Sequence, residues 1–348
     1  MTDAALRMSI AGVGHWHAPR HVEAFVAAGA TVVAVQDDAA ATAERWAVRL
    51  ACAAEPTLDD LLERHDVDLV LAMPRHRGAP SVVGRLVEHG TPFVVEKPAA
   101  ASAADLWPLV HAAEAAGRFA AVPLINRYSS FWEQVQRLRG EGLLDPTTVA
   151  RFRIVNGSPD RYVEDDVGWV LDPDVSGGGA LRNLGPHPVD AFLSLAAGEV
   201  SVLGAALSHR QHALPVEEHA VALLRDEAGL IGLVEVGYSG PDRDGTDHEW
   251  ALTGAGSSVR ELHDVVEVST GSGTVTIASP SVMQRYQIFA ADVVDRLRTG
   301  RPAPVTLREA CRALDVIDRI YAAAATTTGT AVPALTPAAP GPNEGEIP

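Results

Sequence analysis

Lys97 is the only lysine in the 348-residue chain, and all the other strongly basic residues are arginines. It lies in the segment FVVEKPA (93–99), directly after a run typical of a buried strand. A partly desolvated ammonium group has a lowered pKa and can pass on its proton, whereas a guanidinium stays charged at any working pH. The sequence therefore predicts that Lys97 takes part in proton transfer.

A second candidate group lies in the segment GGGALRNLGPHPVDAF (177–192). The prolines on either side of His187 are tolerated only in a first helical turn, so we expect a helix to begin near Gly185. Asp190 then lies one turn after His187 on the same face, and Asn183 lies just upstream. An imidazole titrates close to neutrality, which suits a proton carrier. A histidine that only caps or packs is the alternative.

The first strand runs into GVGHWHA (12–18), where the G-x-G spacing of Gly12 and Gly14 is typical of a loop that lets the backbone approach a pyrophosphate. The third glycine or alanine of the usual fingerprint is replaced by His17, and Ala18 follows one position late. The alternative is an ordinary strand–helix turn.

Two acids end the second predicted strand. Asp37 stands where an acid receives the adenosine ribose hydroxyls, and Asp38 follows it. Because both carboxylates repel a 2′-phosphate, NAD is favoured over NADP.

A metal is a further alternative, since His15 and His17 lie in this loop and His21 is nearby. No cysteine or acid stands at ligand spacing beside them, so we expect no metal and predict that His15 and His17 line the cofactor site, with Trp16 packing near it.

Two domains of different fold class are predicted to position these candidate site residues. Residues 1–125 alternate short β-branched runs with amphipathic segments, which predicts an α/β domain with a parallel sheet. The predicted strands are MSIAGV, TVVAVQ, VDLVLAM, PFVVE and FAAVPLI, and the predicted helices are 19–28, 39–50, 57–64, 79–89 and 102–116.

Residues 126–330 are predicted to form an α+β domain with a large, mostly antiparallel open sheet, because strands follow one another without alternating helices. Its predicted strands are 148–156, 201–208, 217–225, 229–238, 248–254 and 273–278, and its predicted helices are 129–140, 185–196, 282–298 and 306–325. Residues 331–348 are rich in proline, alanine and glycine and are predicted to be a disordered tail.

The bulk composition excludes several function classes. A formal net charge of −17 argues against binding to nucleic acid or to anionic membranes. The sequence shows no signal-peptide pattern and no apolar run of ~18 residues, so neither secretion nor membrane spanning is expected. Cys52 and Cys311 match no metal or redox spacing, which indicates reduced thiols in a cytoplasmic protein.

Together, these segments resemble the Gfo/Idh/MocA oxidoreductases, which include glucose–fructose oxidoreductase and inositol 2-dehydrogenase. The resemblance rests on the glycine loop, on Glu96-Lys97-Pro98 after the fifth strand, and on the pattern G-G-x-x-x-D-x-G-x-H-x-x-D in the second domain. It implies a Rossmann domain followed by a substrate domain, and a Lys97–Pro98 peptide that is often cis.

The resemblance also implies site residues. Lys97 and His187 would transfer the proton, and Asp190 would orient the catalytic side chains without contacting the substrate. Cofactor-binding residues would be Gly12, Gly14, His15, Trp16, His17, Asp37, Asp38, Met73, Pro74, Arg75, His76, Glu96, Lys97 and Asn126. Substrate-binding residues would be Lys97, Arg127, Trp169, Arg182, Asn183 and His187.

The chain departs from the family pattern at Asn183, where relatives carry an active-site aspartate. An amide can hydrogen-bond but cannot relay a proton, so the acid–base work would fall on Lys97 and His187. We therefore predict an NAD-dependent oxidoreductase that acts on a hydroxyl or ketone of a sugar, inositol or related polyol. Alternatives are a redox-neutral enzyme that oxidises a sugar transiently with tightly held NAD, and a non-catalytic NAD-binding regulator. A homodimer or homotetramer formed through the second-domain sheet is also implied.

Overall fold

The computed structural model describes residues 5–240 and 247–327. The predicted tail 331–348 lies outside the described residues. Two sheets organise the described part of the chain, one with six strands and one with eight.

The first sheet has the order β3-β2-β1-β4-β5-β6, and all its strand pairs are parallel. Its strands are nearly continuous apolar runs because helices cover both faces. They are β1 (Leu6–Ala11), β2 (Ala30–Gln36), β3 (Ala53–Glu55), β4 (Leu69–Ala72), β5 (Phe93–Val95) and β6 (Ala120–Ala121).

Five helices connect these strands, and the predicted ones are all present. They are α1 (Ala18–Ala27), α2 (Ala40–Leu50), α3 (Leu58–Arg64), α4 (Ala79–His89) and α5 (Ala103–Ala115). The side chains of Thr57 and Ser102 cap the N-termini of α3 and α5, and Gly90 ends α4 in the left-handed conformation, as glycine readily does.

The second sheet has the order β14-β13-β12-β11-β7-β10-β9-β8. Only the β7–β10 pair is parallel, so the prediction of a mostly antiparallel sheet is confirmed. Its strands are β7 (Val149–Val155), β8 (Val200–Ser208), β9 (His219–Asp226), β10 (Ile231–Gly237), β11 (Asp247–Thr253), β12 (Ser257–Leu262), β13 (Val265–Thr270) and β14 (Gly273–Ala278).

Seven further helices complete the second half of the described chain. They are α6 (Ser130–Gly140), α7 (Asp160–Glu164), α8 (Pro173–Ser176), α9 (Ala180–Leu184), α10 (Pro186–Leu193), α11 (Val282–Thr299) and α12 (Leu307–Thr327). The last two return to the first half of the chain: α11 packs on α1, and α12 packs on α5 as well as on α10 and β8. The two halves therefore share buried side chains, for example Phe289 and Cys311.

Several predicted bounds were wrong. The run FAAVPLI forms only the two-residue strand β6, and Ile125–Tyr128 is a 3-10 helix. Strands β3, β12 and β13 were missed, since β3 is very short and the segment SSVREL of β12 carries several polar residues. The loop predicted to end at 178 is followed by α9, so a separate short helix precedes the helix start predicted at Gly185. The predicted start of α10 at Gly185 is confirmed.

Candidate active site

Lys97 follows β5 at the carboxyl edge of the parallel sheet, and its peptide bond to Pro98 is cis. The residue is 4% exposed. Its Nζ lies 2.8 Å from the backbone oxygen of Asn183 and 2.8 Å from Asn183 Oδ1. Helix α9 thus brings Asn183 to the lysine predicted to carry the chemistry, and two of the three Nζ donor positions are taken.

The amide of Asn183 also reaches two tyrosines. Its Nδ2 donates to Tyr162 Oη at 2.9 Å and to Tyr238 Oη at 3.1 Å. A lysine side chain can only donate when charged, so the amide oxygen must face Lys97 and the amide nitrogen must face the tyrosines. Hydrogen-bond chemistry thereby fixes the orientation of this side chain.

The buried position of Lys97 changes its titration. Burial lowers the pKa of Lys97 to about 8, with the charge of Arg161 acting in the same direction and the charge of Glu96 opposing it. Asn183 contributes no charge to this balance. Lys97 can therefore exchange a proton near neutral pH, as a general acid or base requires.

His187 lies in the first turn of α10, as predicted. Burial, together with the charge of Lys97, lowers the pKa of His187 to about 3, so its imidazole is neutral near pH 7. Its Nδ1 is buried without a hydrogen-bond partner among the described residues. His187 therefore presents a neutral imidazole in the electrostatic field of Lys97.

Asp190, predicted to orient the site, is directed at Arg127. Arg127 Nε and Nη2 donate to the two carboxylate oxygens at 2.8 and 2.6 Å, and Nη1 reaches Glu309 at 2.7 Å. Arg127 was predicted to bind substrate, but this structure commits its guanidinium to two carboxylates. The pair instead ties α10 to the 3-10 helix that contains Arg127 and to α12.

The side chains of two other residues predicted to contact ligands are bonded to protein groups. Asn126, predicted to touch the cofactor, accepts a hydrogen bond from Arg285 Nη1 at 3.0 Å through Oδ1. Arg182, predicted to touch substrate, pairs with Asp318 at 2.7 Å and lies over the ring of Tyr321. Nε and Nη1 of Arg182 remain buried without partners among the described residues.

The histidines of the glycine loop surround Glu96. Its Oε1 lies 3.0 Å from His17 Nδ1 and 2.7 Å from His21 Nε2. Burial raises the pKa of Glu96, but the two histidines outweigh this effect and hold it well below its usual value. Burial lowers the pKa of His17 to about 4 and holds that of His15 well below its usual value.

His15, His17 and Glu96 offer ligand atoms within 4.8 Å of one another, a grouping that could hold a metal ion. His17 Nδ1 already bonds Glu96 Oε1, and His15 Nδ1 accepts from the backbone of His17 at 3.1 Å, whereas Glu96 Oε2 has no partner among the described residues. The positive charge of Lys97 also acts on both imidazoles. We therefore assign these groups to a hydrogen-bonded support beneath the loop, and the absence of a metal stays a prediction.

A cleft of about 840 Å³ opens along the carboxyl edge of the parallel sheet. Its lining includes these predicted cofactor residues: Gly12, Gly14, His15, Asp37, Asp38, Met73, Pro74 and Arg75. Gly12 has a φ of 75°, and a Cβ there would lie 2.5 Å from the backbone oxygen of Met73. Only glycine therefore lets the loops after β1 and β4 approach this closely.

Asp37 ends β2 beside the glycine loop. Its Oδ2 accepts from the backbone of Gly14 at 2.7 Å, and its Oδ1 accepts from Ala39 at 3.0 Å. A carboxylate at this position suits the ribose hydroxyls of a dinucleotide, and the cleft passes from it to the glycine loop. The residues present therefore fit a dinucleotide cofactor, which would supply hydride chemistry.

Aromatic rings pack together beside the glycine loop. Trp16 stacks on His15 with ring centroids 3.8 Å apart and lies 5.7 Å from Trp169. Trp169, predicted to face substrate, also packs edge-on against His76 at 5.1 Å. Nδ1 of His76 bonds the backbone oxygen of Ser176, while its Nε2 is buried without a partner among the described residues.

Sequence reasoning missed Tyr162 and Tyr238 as members of this network. Tyr162 lies in α7 and Tyr238 directly follows β10, so neither is near Lys97 or Asn183 in the chain. No motif surrounds them. Only the folded second domain reveals that both hydroxyls meet the Asn183 amide.

Comparison with known proteins identifies the family of both halves of the chain. Residues 6–123 match the family model described as an oxidoreductase family with an NAD-binding Rossmann fold, and residues 132–260 match the GFO/IDH/MocA C-terminal domain. The chain belongs to the Gfo/Idh/MocA family. It is accordingly an oxidoreductase of a family that binds NAD and acts on sugars and polyols.

Among curated Gfo/Idh/MocA relatives, the chain is similar to two enzymes named dTDP-3,4-didehydro-2,6-dideoxy-alpha-D-glucose 3-reductase. The enzyme of Streptomyces violaceoruber is 32% identical over 60% of this chain and 59% of its own length, so that match spans about three fifths of the relative. The enzyme of Streptomyces antibioticus is 27% identical over 93% of this chain and 98% of its own length.

A levoglucosan dehydrogenase solved with NADH and levoglucosan has the same fold. Its TM-score to this chain is 0.82 at 17% identity, over 92% of this chain and 97% of that one.

None of the described helices of this Gfo/Idh/MocA protein has the length and hydropathy needed to cross a membrane.

Proposed function

We propose that the protein is an NAD-dependent enzyme that transfers a hydride between the nicotinamide and a secondary hydroxyl or ketone of a sugar, inositol or related polyol. The relatives named as sugar reductases and dehydrogenases support this substrate class. The observation that carries the proposal is the environment of Lys97, a buried amine held by Asn183 at the carboxyl edge of the parallel sheet, the edge along which the cleft opens.

Lys97 is the proton acceptor during oxidation and the proton donor during reduction in this proposal. Two of its donor positions point at Asn183, so the third direction is left for the substrate oxygen. The lowered pKa of about 8 lets the neutral amine form near physiological pH. Arginine at the same position would remain charged and could not accept the proton.

His187 assists from the other side as a neutral imidazole. Because its pKa is lowered to about 3, it is poorly suited to store a proton and better suited to hydrogen-bond the reacting hydroxyl or pass its proton onward. Trp169 and Arg182 are proposed to complete the substrate side.

NAD rather than NADP is the proposed cofactor. Gly12 and Gly14 would approach the pyrophosphate, Asp37 and Asp38 would face the adenosine ribose, and Met73, Pro74 and Arg75 would form the opposite wall. When bound, the nicotinamide accepts or supplies the hydride. The two carboxylates at the ribose end oppose a 2′-phosphate.

The proposal is tested by offering NAD and NADP with a panel of sugars, inositols and polyols, and following the absorbance of reduced nicotinamide. Turnover with NAD on at least one member is expected. A product formed without net reduced nicotinamide would point to the redox-neutral reaction. Tight NAD binding with no hydride transfer to any member would point to a regulator and contradict the proposal.

We also propose that the protein forms a homodimer or homotetramer through the open face of the second sheet. Apolar side chains are exposed there on several strands, including Leu203, Val221 and Leu223. Strand β9 alternates strictly between buried and exposed positions, so Val221 and Leu223 share the outer face. Sedimentation of wild type against Leu223→Glu is expected to show an oligomer dissociating to a smaller species, and a wild-type monomer would contradict this.

A further inference from the structure

Tyr162 holds a hydroxyl group whose oxygen already accepts two hydrogen bonds. One comes from Asn183 Nδ2 at 2.9 Å and the other from Arg161 Nη2 at 3.2 Å. Both lone pairs of the oxygen are therefore occupied, and the hydroxyl hydrogen must be donated elsewhere. None of the described residues accepts this hydrogen in a hydrogen bond, although Tyr162 is only 1% exposed.

Asn183 explains why the hydroxyl oxygen of Tyr162 accepts a hydrogen bond at this contact instead of donating one. An aspartate at position 183 would accept hydrogen bonds and would draw the hydroxyl hydrogen of Tyr162 onto itself. The amide nitrogen does the opposite, because the amide oxygen is occupied by Lys97. The replacement of the family aspartate by asparagine therefore turns the hydroxyl hydrogen of Tyr162 away from position 183.

We propose that Tyr162 is a further catalytic residue, which donates a hydrogen bond to the reacting oxygen of the substrate while Lys97 exchanges a proton with it. This inference rests on the proposed function. Lys97 Nζ and Tyr162 Oη are held at opposite ends of one amide group, so an oxygen placed between them would close a ring of hydrogen bonds.

The surroundings favour Tyr162 over Tyr238 for this contact. Tyr162 packs against Trp16 of the glycine loop with ring centroids 5.6 Å apart, and the same tryptophan lies 5.8 Å from Lys97 Nζ. Tyr238 packs against Tyr162 with ring centroids 5.3 Å apart, and no ring contact joins Tyr238 to Trp16 among the described residues. Tyr162 is thus the tyrosine on the side of the cofactor loop.

The Tyr162 O–H bond stays intact in the proposed chemical step. During oxidation the hydroxyl proton of the substrate moves to the neutral amine of Lys97, which leaves negative charge on the substrate oxygen. This charge is used to form the C=O bond as the C–H electron pair leaves as hydride, for which the proposed NAD would be the acceptor. A fixed donor aimed at such an oxygen stabilises the transition state more than the ground state. The Arg161 guanidinium polarises the phenol and strengthens its donation.

The first test compares Tyr162→Phe with Tyr238→Phe, which also removes one acceptor of the Asn183 amide. With a substrate that the wild type oxidises, Tyr162→Phe is expected to lower kcat by about a hundredfold, in the range found for the loss of one transition-state donor. Tyr238→Phe is expected to lower it about threefold, because Asn183 keeps its bond to Tyr162. Equal losses in the two variants, or a Tyr162→Phe enzyme within threefold of wild type, would overturn the inference.

The second test needs no turnover. Calorimetric binding of the ketone product to the cofactor-free protein is expected to weaken about tenfold in Tyr162→Phe, which corresponds to the loss of one hydrogen bond. In an Asn183→Asp background, where the tyrosine hydrogen is drawn to the carboxylate, Tyr162→Phe is expected to change affinity less than twofold. Full additivity of the two substitutions would overturn the inference.

The two failures are distinguishable. A wild-type protein that oxidises no member of the panel contradicts the proposed function and the role of Tyr162 together. A wild type that turns over, with Tyr162→Phe matching Tyr238→Phe in rate and in ketone affinity, contradicts only the role of Tyr162.

Discussion

Lys97 Nζ donates to both the backbone oxygen and the side-chain oxygen of Asn183, each at 2.8 Å. The contact joins the end of β5 to α9 and so spans the two halves of the chain. It holds a buried ammonium group with neutral oxygens only. The amine is therefore fixed in position while its proton stays exchangeable.

A first prediction concerns pH. Burial lowers the pKa of Lys97 from 10.5 to about 8, so the neutral amine that accepts a proton is populated as the pH rises through about 8. We expect kcat/KM for oxidation to rise with pH through an inflection near that value, and kcat/KM for reduction to fall. His187, with its pKa lowered to about 3, stays neutral over this range. A flat profile between neutrality and pH 9 would count against Lys97 as the titrating group.

A second prediction concerns Asn183→Asp. A carboxylate oxygen in place of the amide oxygen beside Nζ would favour the ammonium form and raise the pKa of Lys97. The inflection for oxidation is expected to move to alkaline pH by roughly one to three units. Asn126→Asp adds a buried carboxylate beside Arg285 instead and serves as the matched control. The same inflection in wild type and Asn183→Asp would show that this contact does not set the proton affinity.

The sequence alone predicted the part of the site that lies next to regular elements. Lys97 follows a buried strand, Gly12 and Gly14 follow another, and Asp37 ends a third, so strand periodicity placed all of them at one sheet edge. Tyr162 could not be found in this way. It lies in a segment without periodicity, and its contact with Asn183 depends on tertiary packing.

The second sheet shows a similar limit. Strands with clean alternation, such as β9, were recognised from sequence. Strands β12 and β13 were missed because polar residues interrupt the alternation and only two residues, His263 and Asp264, separate them. The ion pair of Asp190 could not be predicted either, because Arg127 is distant in sequence and the pairing depends on how α10 packs.

A third prediction concerns cofactor choice. Asp37→Asn keeps an oxygen that can accept from Gly14 but removes the charge that opposes a 2′-phosphate. We expect the ratio of NADP affinity to NAD affinity to rise about tenfold, as measured by fluorescence titration of both reduced cofactors. Asp174→Asn removes a charge elsewhere on the cleft wall and is the control. Equal shifts in the two variants would show that Asp37 does not face the ribose.

A fourth prediction concerns stability. Arg285 is buried and its Nη2 lies 2.6 Å from Glu261 Oε1, which is also buried. Removing the guanidinium leaves a buried carboxylate without its ionic partner, so Arg285→Ala is expected to lower the free energy of unfolding by about 3–5 kcal/mol. Arg137→Ala breaks the exposed pair with Glu141 and is expected to cost less than about 0.5 kcal/mol. Urea unfolding measures both, and similar losses would contradict this account.

The most direct measurement compares hydride transfer in wild type and Lys97→Arg. Single-turnover formation of reduced nicotinamide is followed with saturating NAD and the best substrate of the panel, and NAD binding is measured in parallel by calorimetry. We predict that the arginine variant binds NAD within about threefold of wild type but transfers hydride at least about a hundredfold more slowly at every pH, because a guanidinium cannot accept the proton. Wild-type rates in Lys97→Arg would contradict the central role given to the single lysine.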